Sequence, residues 1–219
     1  LFEKYKYNDY LKVVGLSIHI GSQIKSIKPF EIAFKKIKKQ VISLRELGFE
    51  ITVLDLGGGI GIRYLENDRI INVKEYCLLV EKLFSDMKLE IIIEPGRSLV
   101  GSSGILLSSV IRKKSGEKKD FIIIDAGMNN LIRPAMYNAK HEILPVKRKN
   151  LKKKKYDFVG PICESADIFS KQNISQVLKK DDLIAICSVG AYGACMSSNY
   201  NLRGDIREIF IKKNKIIDE

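Results

Sequence analysis

Along the first hundred residues, short apolar runs alternate with longer segments whose apolar residues recur every three or four positions. The short runs span residues 13–20, 51–56 and 89–93, and the longer segments span residues 31–47 and 73–87. Short β-branched runs are typical of buried strands, and the three-to-four spacing is typical of amphipathic helices. The alternation therefore predicts βαβ units with a parallel sheet.

After Leu99 the pattern changes to short strands with no helix-length segment between most of them. The predicted strands span residues 104–112, 120–124, 142–146, 158–162, 183–187 and 208–211. Such a run predicts an antiparallel β domain, either a barrel or a sandwich. We therefore place a domain boundary near residue 100, with an α/β domain at 1–100 and a β domain at 101–219.

Three βα units are too few to close a barrel or to cover both faces of a sheet. An eight-stranded (β/α)8 barrel needs ~200 residues or more, and an open sheet of three parallel strands leaves unpaired edges. If the first hundred residues belong to a barrel, most of that barrel would lie upstream of Leu1. We therefore interpret Leu1 as a cut in a longer chain rather than as a processed start.

The 219-residue chain has a net charge of +12, from 38 Lys and Arg against 26 Asp and Glu. Such a balance can indicate a nucleic-acid partner. Only nine of the basic residues are Arg, however, and the densest basic run, residues 147–155, contains no aromatic residue. Nucleic-acid readers use Arg for bidentate contacts and aromatics for stacking. We therefore interpret the run as a solvated loop and expect no nucleic-acid partner, although binding through this run stays open as an alternative.

The chain contains no stretch of ~18 uncharged apolar residues and no apolar run near its start that resembles a secretory signal. Its four cysteines form no C-x-x-C pair and have no nearby His; they are Cys77, Cys163, Cys187 and Cys195. We therefore expect no metal site, no membrane association and a cytoplasmic location.

Small and polar residues follow each of the three strands predicted in the first half. They are His19-Ile20-Gly21-Ser22-Gln23, Gly57-Gly58-Gly59 and Glu94-Pro95-Gly96-Arg97. The carboxyl ends of parallel strands meet at one edge of a sheet, where α/β proteins bind ligands, and glycine lets backbone N–H groups approach a phosphate. Each motif alone also fits a structural role, as a tight turn, a core histidine or a local Glu94–Arg97 ion pair. Together they predict a phosphorylated cofactor.

These three motifs, with Leu54-Asp55-Leu56 before the glycines, resemble those of the fold-type III pyridoxal-phosphate (PLP) decarboxylases, in the same order. The resemblance implies an α/β plus β fold: the last strands and helices of an alanine-racemase-like (β/α)8 barrel, then a C-terminal β domain. Motifs in the second half are similar to those of the diaminopimelate decarboxylase branch. They are 125–129 (DAGMN), Arg133-Pro134 with Tyr137, 160–167 (GPICESAD), 190–193 (GAYG) with Met196, and Asn199-Tyr200-Asn201.

The resemblance assigns both cofactor and substrate contacts. Contacts with PLP are implied for His19, Ser22, Gly58, Gly59, Glu94, Pro95, Gly96, Arg97 and Tyr192. Contacts with substrate are implied for Arg97, Arg133, Tyr137, Glu164 and Tyr192. The implied catalytic residues are His19, which would stack on the pyridine ring, and Cys163, which would protonate the substrate after CO₂ departs.

In this assignment Glu94 pairs with the pyridine nitrogen. The substrate carboxylates are held by Arg97, Arg133 and Tyr137, and the guanidinium groups of the two arginines suit this task. Glu164 binds the amino group at the far end of the substrate. The family shares its active sites across a homodimer, so the cysteine–glutamate motif is expected to reach the neighbouring subunit. The implied reaction converts meso-2,6-diaminopimelate to L-lysine and CO₂, the last step of lysine biosynthesis.

One family feature has no counterpart in this sequence. The lysine that binds PLP covalently lies well before the His-Ile-Gly-Ser motif in the family, whereas Lys4, Lys6 and Lys12 lie too close to that motif and lack the family context. We therefore expect this chain alone to be inactive. Two alternatives stay open. One is a related decarboxylase of ornithine, arginine or polyamine precursors, against which Arg133 and Tyr137 argue; the other is a non-catalytic dimerising remnant.

Overall fold

A computed structural model gives the fold of the chain and divides it into two compact units. The structure describes residues 2–6, 8–149 and 152–218. The first unit comprises Leu1–Ile62 and Arg69–Leu99, and the second comprises Arg63–Asp68 and Val100–Glu219. The short Arg63–Asp68 segment therefore groups with the second unit, although it precedes residue 100. The assignment of the two halves as a barrel portion and a β domain stays a prediction.

The first hundred residues alternate helix and strand. Their elements are α1 (Phe2–Tyr5), β1 (Gly15–Ser17), α2 (Ile27–Glu46), β2 (Val53–Asp55), α3 (Val73–Phe84), β3 (Glu90–Ile92) and α4 (Gly96–Val100). The strands pair in the order β1-β2-β3, and both pairings are parallel, with Leu54 opposite Leu16 and Ile91. The predicted parallel βαβ arrangement is confirmed.

The apolar face of α2 explains why this segment packs as a helix against the sheet. Phe30, Phe34, Ile37 and Val41 recur at helical spacing, are buried, and form one cluster with Leu54 of the central strand. Burying a side chain of this size contributes about 1.5–3 kcal/mol, so this face anchors α2 on the sheet. Within the described residues, no helix has both the length and the apolar character needed to cross a bilayer.

The second half is mostly strand. Its elements are β4 (Leu106–Ser115), β5 (Asp120–Ile124), α5 (Arg133–Tyr137), β6 (Ile143–Pro145), β7 (Lys153–Val159), β8 (Ile168–Gln176), β9 (Leu183–Ile186), β10 (Phe210–Lys212) and β11 (Lys215–Asp218). Six strands form one sheet in the order β6-β9-β4-β5-β7-β8, and β10 and β11 form a separate antiparallel ribbon. The edge strands β6 and β8 also contact each other, which nearly closes the sheet around an apolar core.

This sheet is mixed rather than antiparallel. β5 and β7 run parallel, with Ile122 opposite Phe158, whereas the other neighbouring pairs are antiparallel. A parallel pair needs a long crossover connection, and residues 125–152, which include α5 and β6, supply one. The expectation of an antiparallel domain is therefore wrong for this pair.

Two further expectations fail locally. The sequence pattern does not indicate β8, because polar side chains obscure its alternation. In the structure Gln172, within this strand, has a positive φ of 52°. The predicted basic loop is partly strand: residues 153–155 begin β7, although their side chains are exposed as expected. Leu1 and two residues of the basic run, Asn150 and Leu151, lie outside the described residues.

Candidate functional site

Three chain segments converge at the carboxyl edge of the parallel sheet. A Cβ built at Gly58 would lie well within 3.0 Å of the Glu94 carbonyl oxygen, and one at Gly59 equally close to that of Gly21. Gly59 also has a φ of 99°, and the Glu94 N–H donates to the Gly57 carbonyl at 2.8 Å. The glycines are therefore required because the neighbouring backbones approach too closely for any side chain.

The turn from β3 into α4 presents the next group of predicted residues. The Gly96 N–H donates to the Glu94 carbonyl at 3.0 Å, and the Ser98 hydroxyl donates to the carbonyl of half-buried Pro95 at 2.9 Å. A Cβ at Gly96 would meet no heavy atom within 4 Å, so this position borders open space. The turn is thus fixed by local hydrogen bonds, with the Glu94 side chain exposed.

A side-chain contact links two of the three strand ends. Nη2 of Arg97 donates to Oγ of Ser22 at 3.0 Å, across 75 positions of sequence. The His19 side chain is exposed after the first strand. Guanidinium, hydroxyl and backbone N–H donors are the groups with which proteins bind phosphate. The residues present at this edge therefore fit the phosphate of PLP.

Two of the three lysines that precede the first motif, Lys6 and Lys12, lie at the other end of the sheet. Nζ of Lys6 donates to the Leu47 carbonyl at 3.2 Å, and Nζ of Lys12 pairs with Glu50 at 2.8 Å. Leu47 and Glu50 precede β2, so both ammonium groups are held near the amino end of that strand. This placement supports the expectation that neither lysine serves as the cofactor-binding lysine.

In the second unit, Asp167 organises the cysteine–glutamate turn (residues 160–167). Its carboxylate is 3% exposed and accepts the N–H groups of Ile162 and Met128, each at 2.7 Å. Burial raises the pKa of Asp167 above its ordinary value, although these N–H groups act to lower it. A Cβ at Gly160 would collide with the carboxylate, which explains the glycine. The turn is therefore built around one buried acceptor.

This turn presents Cys163 and Glu164 to solvent, as their predicted roles require. Oη of Tyr200 donates to Oε1 of Glu164 at 2.7 Å. This bond to the carboxylate, with its negative charge, raises the pKa of the Tyr200 phenol above its ordinary value. The turn thus presents an exposed thiol next to a carboxylate that a neighbouring phenol orients.

Arg133, at the start of α5, is built into the second unit. It is 6% exposed; its Nη1 lies 2.9 Å from Nε2 of His141, and its guanidinium lies 4.7 Å from the ring centre of Tyr64. Nδ1 of His141 lies 2.8 Å from the Cys187 carbonyl oxygen. A carbonyl can only accept, so Nδ1 donates and Nε2 accepts from Arg133. The guanidinium is therefore held in a fixed orientation.

The two tyrosines predicted to contact ligands are accessible. Tyr137, one turn after Arg133, is 61% exposed. Tyr192 is 44% exposed and has a φ of 59°, a conformation uncommon for a bulky residue. Backbone strain of this kind persists only where the surroundings enforce it. Both tyrosines are thus exposed to solvent.

Three supporting residues were not predicted as functional. Asp167 and Tyr200 lie inside motifs noticed in the sequence, but no role followed from their spacing. The Asp167–Met128 and Tyr200–Glu164 contacts span 39 and 36 positions, so no local pattern could reveal them. His141 lies in no motif, and the only hint is that the chain contains two histidines.

The chain thus combines a phosphate-suited edge of parallel strands with a sheet domain that carries an exposed cysteine–glutamate turn. The family described as pyridoxal-dependent decarboxylase, C-terminal sheet domain, matches residues 7–190. This chain belongs to that family.

Relatives at about 40% identity are diaminopimelate decarboxylases. The chain is 42% identical to the enzyme of Aquifex aeolicus over 94% of its own length and 49% of that protein, and 41% identical to the Zymomonas mobilis enzyme over 98% and 51%. It also resembles the crystal structure of Helicobacter pylori diaminopimelate decarboxylase complexed with L-lysine. The TM-score is 0.92 and the sequence identity is 40%, and the match covers 98% of this chain and 53% of that one. The chain thus spans about half the length of the relatives it matches.

Proposed function

We propose that this chain forms the C-terminal half of a diaminopimelate decarboxylase, which converts meso-2,6-diaminopimelate to L-lysine and CO₂. The observation that carries this proposal is the second-unit turn, in which Glu164 stands exposed beside Cys163 and accepts a hydrogen bond from Tyr200. A carboxylate placed there suits a substrate with a distal ammonium group. The roughly 40% identity to diaminopimelate decarboxylases over nearly the whole chain supports the same substrate.

In this proposal the strand-end residues of the first unit hold PLP. Ser22, Gly58, Gly59, Gly96 and Arg97 would bind its phosphate. His19 and Glu94 would contact the pyridine ring, with Pro95 and Tyr192 completing the site. Bound PLP supplies electron withdrawal from the substrate α-carbon, which lets the α-carboxylate leave as CO₂.

The remaining residues bind substrate and move one proton. Arg97, Arg133 and Tyr137 would hold its carboxylates. Because Arg133 is buried and oriented by His141, only an edge of its guanidinium would face a ligand. After the bond between the α-carbon and the carboxylate breaks, the Cys163 thiol would donate its proton to the α-carbon, which completes the product amine.

We also propose the architecture that the family implies. Residues 1–100 would be the last part of a (β/α)8 barrel, and residues 101–219 the C-terminal β domain. The enzyme would be a cytoplasmic homodimer whose active sites combine residues from both subunits.

The test is CO₂ release by the full-length polypeptide that contains this chain, supplied with PLP and with diaminopimelate, ornithine or arginine. We expect turnover of meso-diaminopimelate and little of the other two. A preference for ornithine or arginine would overturn the substrate assignment, and inactivity on all three would favour a non-catalytic relative. The 219-residue chain alone should be inactive, and PLP added to it should be lost on dialysis.

A further inference from the structure

The 125–130 segment anchors two loops of the second unit at once. On one side, the Met128 N–H donates to Asp167, which fixes the cysteine–glutamate turn. On the other side, the buried Asn129 is hydrogen-bonded twice to Ser198. The Ser198 N–H donates to the Asn129 carbonyl at 2.8 Å. Nδ2 of Asn129 lies 3.4 Å from the Ser198 carbonyl oxygen. One segment therefore sets the position of both loops.

The loop that carries Tyr200 is anchored again on its far side. Nη2 of Arg203 donates to the Asp125 carbonyl at 2.9 Å, across 78 positions of sequence. Between the anchors, Asn201 and Leu202 both have a positive φ, of 58° and 53°. Asn tolerates this region, but Leu does so at a cost. The surroundings therefore impose a strained backbone immediately after Tyr200.

This framework brings the Tyr200 phenol to the Glu164 carboxylate. The 2.7 Å distance is that of a hydrogen bond to a charged acceptor, which is stronger than a neutral one. A carboxylate has about four lone-pair sites, so the phenol occupies one and leaves others for an ammonium group. The bond also fixes the rotamer of an exposed side chain before any ligand arrives, which lowers the cost of binding.

We propose that Tyr200 is a positioning residue that orients Glu164 toward the distal ammonium group of the substrate and so sets side-chain specificity. The inference rests on the proposed function, because it takes Glu164 as the distal-ammonium contact. Tyr200 acts only through Glu164 and takes no part in the proton transfer. Its loss should therefore weaken recognition of the distal amino group and leave the chemical step unchanged.

The first test compares two substrates in the full-length enzyme. Meso-diaminopimelate carries the distal amino group, and 2-aminopimelate is the analogue that lacks it. For Tyr200→Phe we expect KM for meso-diaminopimelate to rise about tenfold with kcat within about twofold, because Glu164 must then be ordered when the substrate binds. For 2-aminopimelate, kcat/KM should stay within about twofold, because Glu164 has no ammonium group to bind.

Two variants sharpen this comparison. Adding Tyr200→Phe to Glu164→Gln should cause no further loss, because residues that act as one unit are not additive. Tyr10→Phe, at a 94% exposed tyrosine of the first unit, is the control and should leave both substrates unaffected. Equal losses on the two substrates, or a double variant that is worse than Glu164→Gln alone, would overturn the proposal.

The second test needs no turnover and uses the full-length enzyme. The phenol of Tyr200, which faces Glu164 and Cys163, has a pKa above its ordinary value. In a ¹³Cζ-tyrosine NMR titration, Glu164→Gln should lower that pKa, whereas Cys163→Ser should change it little. An unchanged Tyr200 titration in Glu164→Gln would refute the hydrogen bond itself. If the wild-type enzyme does not turn over meso-diaminopimelate, the proposed function and the role of Tyr200 in specificity both fail. The titration still decides whether Tyr200 is hydrogen-bonded to Glu164.

Discussion

Replacing Asp167 with alanine should loosen the cysteine–glutamate turn and the 125–130 segment together. The carboxylate is the shared acceptor for the N–H groups of Ile162 and Met128, both at 2.7 Å, in a residue that is 3% exposed. Alanine removes both acceptor oxygens and leaves the buried Ile162 N–H and the half-buried Met128 N–H without this partner. A Cβ at Gly160 would collide with this carboxylate, so the carboxylate fills the space beside Gly160.

The size of the effect follows from the two donors. Leaving one buried polar group unsatisfied costs about 1–3 kcal/mol, and entry of a water molecule into the space left by the carboxylate would offset part of the total. We therefore expect Asp167→Ala to lower the free energy of unfolding of the second unit by about 3 kcal/mol. Such a loss corresponds to about 150-fold less protection from amide exchange.

Native-state hydrogen exchange measures this change at the two amides concerned, those of Ile162 and Met128. Asp205→Ala is the matched control, because Asp205 is exposed and surface substitutions of this kind stay within about 0.5 kcal/mol. Gly160→Ala should reproduce the loss with Asp167 retained, since its Cβ displaces the carboxylate. Full protection of both amides in Asp167→Ala would show that this carboxylate does not organise the turn.

Gly58→Ala should destabilise the first unit by more than about 2 kcal/mol in thermal unfolding, because its Cβ collides with a backbone carbonyl. Gly96→Ala is the matched variant: its Cβ meets open space, so it should be nearly neutral in thermal unfolding and weaken only PLP binding. Although burial raises the pKa of Asp157, the hydrogen bond from Lys119 at 2.7 Å helps to hold it below the ordinary value. The stability that Asp157 adds is therefore present above the unfolded pKa near 3.8 and lost as the pH falls through the folded pKa. Lys119→Met should cost about 1–2 kcal/mol near pH 7 and move acid unfolding, followed by circular dichroism, to higher pH. Leu202→Gly should raise the melting temperature, because it relieves about 1 kcal/mol of strain at a 91% exposed residue with positive φ. A lower melting temperature would show that the Leu202 side chain contributes contacts that outweigh the strain.

Local periodicity predicted those parts of the fold that depend on near neighbours. The spacing of Phe34, Ile37 and Val41 indicated a buried helix face, and the apolar run around Leu54 indicated a buried strand, as the structure confirms. The parallel pairing of β5 with β7 could not be predicted in this way, because it depends on where a 125–152 crossover returns to the sheet. Periodicity reports which face of an element is buried, and not which element lies beside it.

The residues of the candidate site differ in the same way in how far the sequence could predict them. Strand-end residues such as Arg97 could be proposed from sequence, because parallel strands bring their carboxyl ends to one edge whatever the loops do. The residues that hold the second-unit turn, such as Asp167, could not, since a buried carboxylate acquires its role only when distant backbone N–H groups meet it. A motif therefore identifies the side chains that face a ligand more readily than those that orient them. The supporting contacts, from Asp167 to Met128 and from Tyr200 to Glu164, decide whether the motif residues stand in a usable geometry. Substitution of either support should thus change binding with every motif residue that contacts the ligand left intact.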